Sequence, residues 1–221
     1  MEQETDLFGN IITKNEQPKL TGNKDWAGTS HSTFVTLGAS NHTDHDRAIL
    51  DYYATDPNAA RWLLEIEPSI HNIWECACGQ GHLAQVFDKI GKLNKATDLI
   101  NRGYEKQTET LDFLKCGITN YKGSIITNPP YKMALEFVQH SLYCVADGEL
   151  VCMFLKLTFL EGKERRAFFD QNPPIRVWVS SSRISCARNG DFDKYDSSAA
   201  CYAWFVWQKG YKGETIIKWF N

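Results

Sequence analysis

From residue 72 onward the chain alternates short apolar runs with longer amphipathic stretches. The runs 72–77, 93–99, 110–114, 124–128, 149–156, 175–180 and 199–208 are rich in Ile, Val, Trp, Tyr and Phe and predict strands. Stretches 82–90, 132–146 and 160–170 carry apolar residues at helical spacing and predict helices. Strands that alternate with helices need crossover connections, so the expected class is α/β: a mostly parallel, doubly wound sheet with helices on both faces. The last two strands have no helix between them, and at least one of them is expected to run antiparallel. Upstream, residues 45–67 predict two helical stretches broken at 54–57. There Asp56 suits an N-cap and Pro57 the first helical position of the second stretch. Residues 1–42 are polar, with scattered glycines and no sustained period, and predict an N-terminal arm ahead of one domain over 43–221.

Composition narrows the class. At 221 residues, 43% hydrophobic and 23% charged, the chain is long enough for one substantial core. A formal net charge of -3 excludes a global basic field, so any nucleic-acid surface has to be local. No run of about 18 apolar residues occurs and the N-terminus is polar and acidic, which predicts a cytoplasmic protein without a membrane partner. The seven cysteines lie mostly inside apolar segments and read as reduced core residues. Cys76 and Cys78 are one residue apart with no second pair at finger spacing, and His31, His42 and His45 fall in the polar tail; no metal is expected.

The candidate chemistry begins at Asn128, Pro129, Pro130 and Tyr131, which follow an apolar run. The lone pair of a nucleobase amine is delocalised into the ring, and an enzyme that alkylates it must draw the nitrogen towards tetrahedral geometry. The Asn128 side-chain oxygen and the Pro129 carbonyl can each accept one amine hydrogen, two prolines lock the backbone that presents them, and Tyr131 can stack on the base. The chain contains its own control. Asn172, Pro173, Pro174 and Ile175 repeat the triplet without the aromatic, after a charged helical stretch, and read as a helix stop. A second candidate site lies at the first predicted strand, which ends in Glu75, Cys76, Ala77, Cys78, Gly79, Gln80 and Gly81. Glycines at the carboxyl end of a parallel strand let backbone approach a ligand closely. Asp98 follows Gly79 by 19 residues, the spacing at which an acid grips ribose hydroxyls in Rossmann-like sites, and Asp112 with Phe113 closes the next predicted strand.

In that order, Glu75 to Gly81, Asp98, Asp112 with Phe113, and Asn128 to Tyr131 resemble the S-adenosylmethionine-dependent amino-methyltransferases, specifically the adenine-N6 DNA methyltransferases. Residues 51–57 (DYYATDP) resemble the cofactor-clasping segment that precedes the glycine motif in one permuted class, and 36–57 with the tail 194–220 is similar to small phage and prophage members. The resemblance implies S-adenosyl-L-methionine as cofactor. Tyr53 and Thr55 would lie near its methionine moiety, Glu75, Cys76, Gly79, Gly81 and Asn128 would line its pocket, Asp98 would hold the ribose, and Asp112 and Phe113 would meet its adenine. It also implies a Rossmann-like class I sheet of seven strands with an antiparallel hairpin at one edge, and a flipped adenine in DNA as substrate. Cys76 departs from the family, which often has proline there.

Between Lys156 and Lys194 eight basic residues face five acids, and the polar connection 181–197 is long, so Arg183 and Arg188 are the candidate nucleic-acid contacts. Larger members of the family carry a separate recognition domain for which this chain has no room; specificity would come from a loop, the arm, an oligomer or a protein partner. Two rival readings stay open: methylation of RNA or of a protein glutamine amide, and a catalytically idle nucleic-acid-binding protein of the same fold.

Overall fold

The structure, a computed structural model, describes residues 52–117, 120–188 and 200–221. The expected arm over 1–42, its histidines and the first helical stretch before residue 52 lie outside these residues.

Among the described residues ten strands and four α-helices follow one another: β1 (Tyr53–Thr55), α1 (Pro57–Ile66), β2 (Ile73–Glu75), α2 (Ala84–Lys89), β3 (Leu93–Asp98), β4 (Glu109–Thr110), β5 (Ile125–Thr127), α3 (Ala134–Cys144), β6 (Leu150–Lys156), α4 (Lys163–Gln171), β7 (Arg176–Ser180), β8 (Cys186–Arg188), β9 (Tyr202–Gln208) and β10 (Ile216–Phe220). Eight strands form the main sheet in the order β10-β7-β9-β6-β5-β2-β3-β4. β4, β3, β2, β5 and β6 are mutually parallel, while β9 runs antiparallel between β6 and β7. The seven strands from β4 to β7 match the expected sheet. An eighth, β10, pairs parallel with β7 and takes the edge, so the antiparallel β7 and β9 lie inside the sheet and not at its border. No strand is predicted from the sequence over residues 216–220, although four of the five are apolar; in the structure Ile216, Ile217 and Trp219 stay about half exposed or more.

Strand periodicity builds a core on each face. In β6, Val151, Met153 and Leu155 pack with Phe137, Phe159 and Trp207 on one side. The intervening Leu150, Cys152 and Phe154 pack with Leu63, Phe87 and Trp204 on the other. Successive strand side chains point to opposite faces, so a continuous apolar run serves two helical layers at once. α1 starts as the sequence predicts: the Asn58 amide donates to the Asp56 carboxylate at 2.8 Å and Pro57 occupies the first turn. Replacing Asp56 by Ala leaves that amide without its cap, and urea titration is expected to show a loss of about 1 kcal/mol. The Asn172-Pro173-Pro174 triplet sits where α4 ends at Gln171, as read.

Two tertiary features correct the sequence reading. Tyr53–Thr55 is a strand, where the sequence predicts the end of a helical stretch and the start of the break 54–57, because it pairs antiparallel with Cys186–Arg188, part of the polar connection 181–197. Arg176, counted in the basic stretch, belongs to the fold. Its guanidinium donates through Nε and Nη2 to the two oxygens of buried Glu67, the latter at 2.6 Å, and Trp178 Nε1 adds a bond of 2.7 Å. Arg166 likewise pairs with Asp170 one helical turn away. Among the described residues no helix is long and apolar enough to cross a membrane.

Candidate active site

The chain runs from β2 outward to β3 and β4, then returns to place β5 and β6 on the other side of β2. The gap between the carboxyl ends of β2 and β5 is therefore the topological switch point, where the crossing loops diverge and leave a crevice. A cavity of about 280 Å³ opens there. Of the residues singled out from the sequence, Tyr53, Thr55, Glu75, Cys76, Asp98, Asp112, Phe113, Asn128, Pro129, Pro130 and Tyr131 all line it. Gly79 and Gly81 are not among the residues that line it. Asp112 and Phe113 lie not in a strand but just past β4, where Phe113–Lys115 forms one 3₁₀ turn.

The glycine loop is held by its neighbours. Gly79 and Gly81 have φ of 55° and 81°. A Cβ on Gly79 would sit 2.1 Å from the Tyr52 ring, and one on Gly81 2.3 Å from Tyr104, so both backbone angle and contact exclude a side chain. Asp98 accepts from the Gly79 amide through Oδ2 at 2.8 Å and from the Ile100 amide through Oδ1 at 3.0 Å. Each carboxylate oxygen keeps acceptor capacity towards the cavity. Tyr52, one residue before the strand, closes over the loop: its hydroxyl accepts from the Gln80 amide at 3.2 Å and lies 2.9 Å from His82 Nδ1, and Arg102 stands 4.9 Å above its ring. Burial pushes the Tyr52 phenol up to about 12, so it stays protonated. Tyr52, His82 and Arg102 were not among the candidates. The adjacent Tyr-Tyr pair was a signal, but which ring meets the loop depends on the pairing of β1 with β8.

The opposite wall is built around Asn128. Its Nδ2 donates to the Thr55 hydroxyl at 2.8 Å and to the Tyr53 carbonyl at 3.3 Å. A carbonyl only accepts, so the amide nitrogen must face β1, and Oδ1 is turned the other way. That oxygen is buried and has no hydrogen-bond partner. Tyr131 is gripped from behind: its hydroxyl donates to Tyr202 at 3.0 Å, Tyr53 tilts against it at 5.7 Å between ring centroids, and Lys156 Nζ lies 4.7 Å from its ring centre. Lys156 and Tyr202 are thus further supports that no short motif announces.

A second orphan atom is Glu75 Oε2, also buried and unpartnered. Burial foremost, and the neighbouring Asp98 charge next, push the Glu75 carboxyl well above its usual range. The cavity therefore presents a carboxyl group suited to a cationic partner and an amide oxygen suited to a hydrogen-bond donor. Arg183 is exposed ahead of β8 and is not among the cavity-lining residues, and the backbone of Arg188 pairs in register with Tyr53.

No protein-family model and no curated protein sequence matches this chain. Solved structures do. A protein from Pyrococcus horikoshii assigned as an RNA methyltransferase is 13% identical with a TM-score of 0.51, over 82% of this chain and 99% of that one. A protein from Listeria monocytogenes assigned as a class I S-adenosylmethionine-dependent methyltransferase is 12% identical with a TM-score of 0.50, over 85% and 71%. A type I restriction-modification methyltransferase subunit from Streptococcus thermophilus is 12% identical with a TM-score of 0.54, over 76% of this chain but only 47% of that one. At these identities the likeness concerns architecture, and with the strand order above it establishes that the chain has the Rossmann-like fold of class I methyltransferases.

Proposed function

We propose that the chain is an S-adenosylmethionine-dependent methyltransferase acting on the exocyclic amine of a nucleobase, with N6 of adenine in DNA as the target. The observation that carries this reading is the Asn128 amide: its nitrogen is committed to Thr55 and Tyr53, leaving a buried, unpartnered oxygen aimed away from β1. An amine hydrogen is the donor such an oxygen lacks. The cofactor fits the residues present. Glu75 would offer its unpartnered oxygen to the ammonium of the methionine moiety, Asp98 would accept from the ribose hydroxyls, and Asp112 and Phe113 would hold the adenine. Gly79 and Gly81 allow the close approach. Tyr53 and Thr55 contribute through Asn128.

When bound, S-adenosylmethionine supplies an electrophilic methyl group on its sulfonium. The chain's residues supply position. Asn128 Oδ1 and the Pro129 carbonyl accept the two amine hydrogens and turn the nitrogen lone pair towards the methyl; Pro130 holds that backbone extended, and Tyr131 stacks on the base. The methylated nitrogen sheds its proton readily, so no general base is required.

The solved structures this chain resembles include a restriction-modification methyltransferase subunit and a protein assigned as an RNA methyltransferase, and the DYYATDP segment that supplies β1 is what favours DNA. Arg183 and Arg188, on the β7–β8 connection and on the strand paired with β1, are the proposed phosphate or base contacts. The chain spans about half of the Streptococcus thermophilus subunit, so recognition by an additional subunit or a second copy belongs to the same proposal. Incubation with radiolabelled S-adenosylmethionine and DNA, RNA or total protein, followed by nucleoside and amino-acid analysis, tests it. N6-methyladenine in DNA is expected; label in RNA or glutamine transfers the assignment, and none in any pool makes the chain a binding protein.

Asp98→Ala removes a charged acceptor that both holds the Gly79 loop and faces the cavity. Hydrogen bonds to charged groups contribute about 1.5 to 3 kcal/mol, so calorimetry should show S-adenosylmethionine affinity reduced roughly 10- to 150-fold. Unchanged affinity removes Asp98 from the site.

A further inference from the structure

A second cluster of reactive side chains lies behind the cavity wall. Cys116 follows the 3₁₀ turn Phe113–Lys115, while His140 and Cys144 sit one turn apart on α3. Residues four apart on a helix share a face, and here that face looks onto Cys116. Cys116 Sγ lies 3.4 Å from His140 Nε2 and 3.9 Å from Cys144 Sγ, and all three ligand atoms fall within 4.8 Å of one another. With Zn–S of about 2.3 Å and Zn–N of about 2.0 to 2.1 Å, the edges of a tetrahedron are about 3.8 Å between sulfurs and about 3.6 Å from sulfur to nitrogen. The two measured edges fall within about 0.2 Å of these values. Sulfur and imidazole together are the donor set that tetrahedral zinc takes.

We propose that Cys116, His140 and Cys144 form a zinc site with water in the fourth position, clipping the turn that carries Asp112 and Phe113 to α3. Binding releases the two thiol protons to solvent and forms two zinc–thiolate bonds and one zinc–imidazole bond; no electron changes hands. Desolvation raises the Cys144 thiol to about 12 and the Cys116 thiol above its usual value, and a metal ion removes that obstacle by ligating the thiolates directly. The site is supported from the cavity side. The Phe113 ring, which lines the cavity, stands edge-on to the His140 imidazole with centroids 4.9 Å apart and planes at 90°, and fixes the imidazole's plane. The metal therefore sits one side chain away from the pocket and sets the position of its wall. Search of the sequence for paired cysteines at finger spacing could not find it, because Cys116 and His140 are 24 residues apart and meet only when α3 packs on the turn.

The inference stands on this cluster and does not depend on the methyl-transfer reading. Its test uses the full chain with cobalt(II) and zinc(II) as probes. Cobalt(II) added to reduced protein is expected to give a sulfur-to-metal charge-transfer band and intense tetrahedral visible bands at one equivalent, abolished by one equivalent of zinc. Cys116→Ser and Cys144→Ser should each lose most of the charge-transfer intensity, while Cys201→Ser, at an exposed position, should keep it. Zinc should raise Tm of the wild type and leave that of Cys116→Ser unmoved. The wild-type spectrum needs no variant to fold. Absence of the band at excess cobalt overturns the site, as does a band undiminished in both cysteine variants, or recovery of a Cys116–Cys144 disulfide from protein prepared with zinc.

Discussion

Asn128→Ala is expected to lower methyl transfer to a DNA substrate by at least about 100-fold while S-adenosylmethionine affinity stays within a few-fold of wild type. The reason is geometric. In the proposed mechanism the reaction is accelerated by holding one amine in line with one methyl group, and misplacing a reacting group by about 1 Å costs on the order of 100-fold. Removing the amide deletes the acceptor that faces the amine. It also leaves the Thr55 hydroxyl without the donor that reaches it at 2.8 Å, which adds a stability loss of about 1 kcal/mol. Single-turnover kinetics separates the two effects: the chemical step should fall, whereas cofactor titration and Tm should change little. Turnover within tenfold of wild type would remove the Asn128–Tyr131 tetrad from the chemistry.

Glu67→Ala should have the largest effect on stability. Glu67 closes α1, and its carboxylate, 3% exposed, takes bonds from Arg176 and Trp178 on β7. Removing one partner of a buried pair leaves the other desolvated and unpaired, typically at about 3 to 5 kcal/mol. Arg176 keeps 23% of its side-chain surface exposed and can draw in water, so the loss should lie near the lower end, roughly 3 kcal/mol. At about 2 to 4 °C per kcal/mol for a chain of this size, Tm should drop by roughly 6 to 12 °C. The double variant Glu67→Met with Arg176→Met should recover most of that loss, because it removes both charges together. Neither residue lines the cavity, so cofactor affinity at low temperature should be unchanged.

Within the basic stretch 156–194, three cations already have partners within the chain. Of the eight basic residues between 156 and 194, Arg176 pairs with Glu67, Arg166 with Asp170, and Lys156 lies over Tyr131, while the proposed contacts remain Arg183 and Arg188. A linear count cannot tell a solvated charge from one committed to a partner 109 residues away. At β10 the local pattern was legible, since 216–220 reads IIKWF. Its place at the sheet edge, by contrast, follows only from the parallel register with Arg176–Ser180.

What the sequence determined by itself was local or periodic. Apolar runs of strand length such as 150–156 fill both faces of a sheet wherever it is placed, Asp56-Pro57 caps a helix from its own backbone, and the glycines at 79 and 81 mark a turn that only glycine adopts. Strand–helix alternation then led to a parallel sheet, and the motifs named about half of the residues that line the cavity. The tertiary structure alone decided what depends on meetings between distant segments. It set Asn128 against Tyr53 and Thr55, over 70 residues away, and so oriented its amide; it laid Tyr52 over Gly79; and it joined Cys116 to His140 and Cys144. The physical reason is that periodicity reports which face of an element is buried, whereas the partner across that face is selected by packing and hydrogen bonding in the assembled sheet, and no short stretch of chain encodes it.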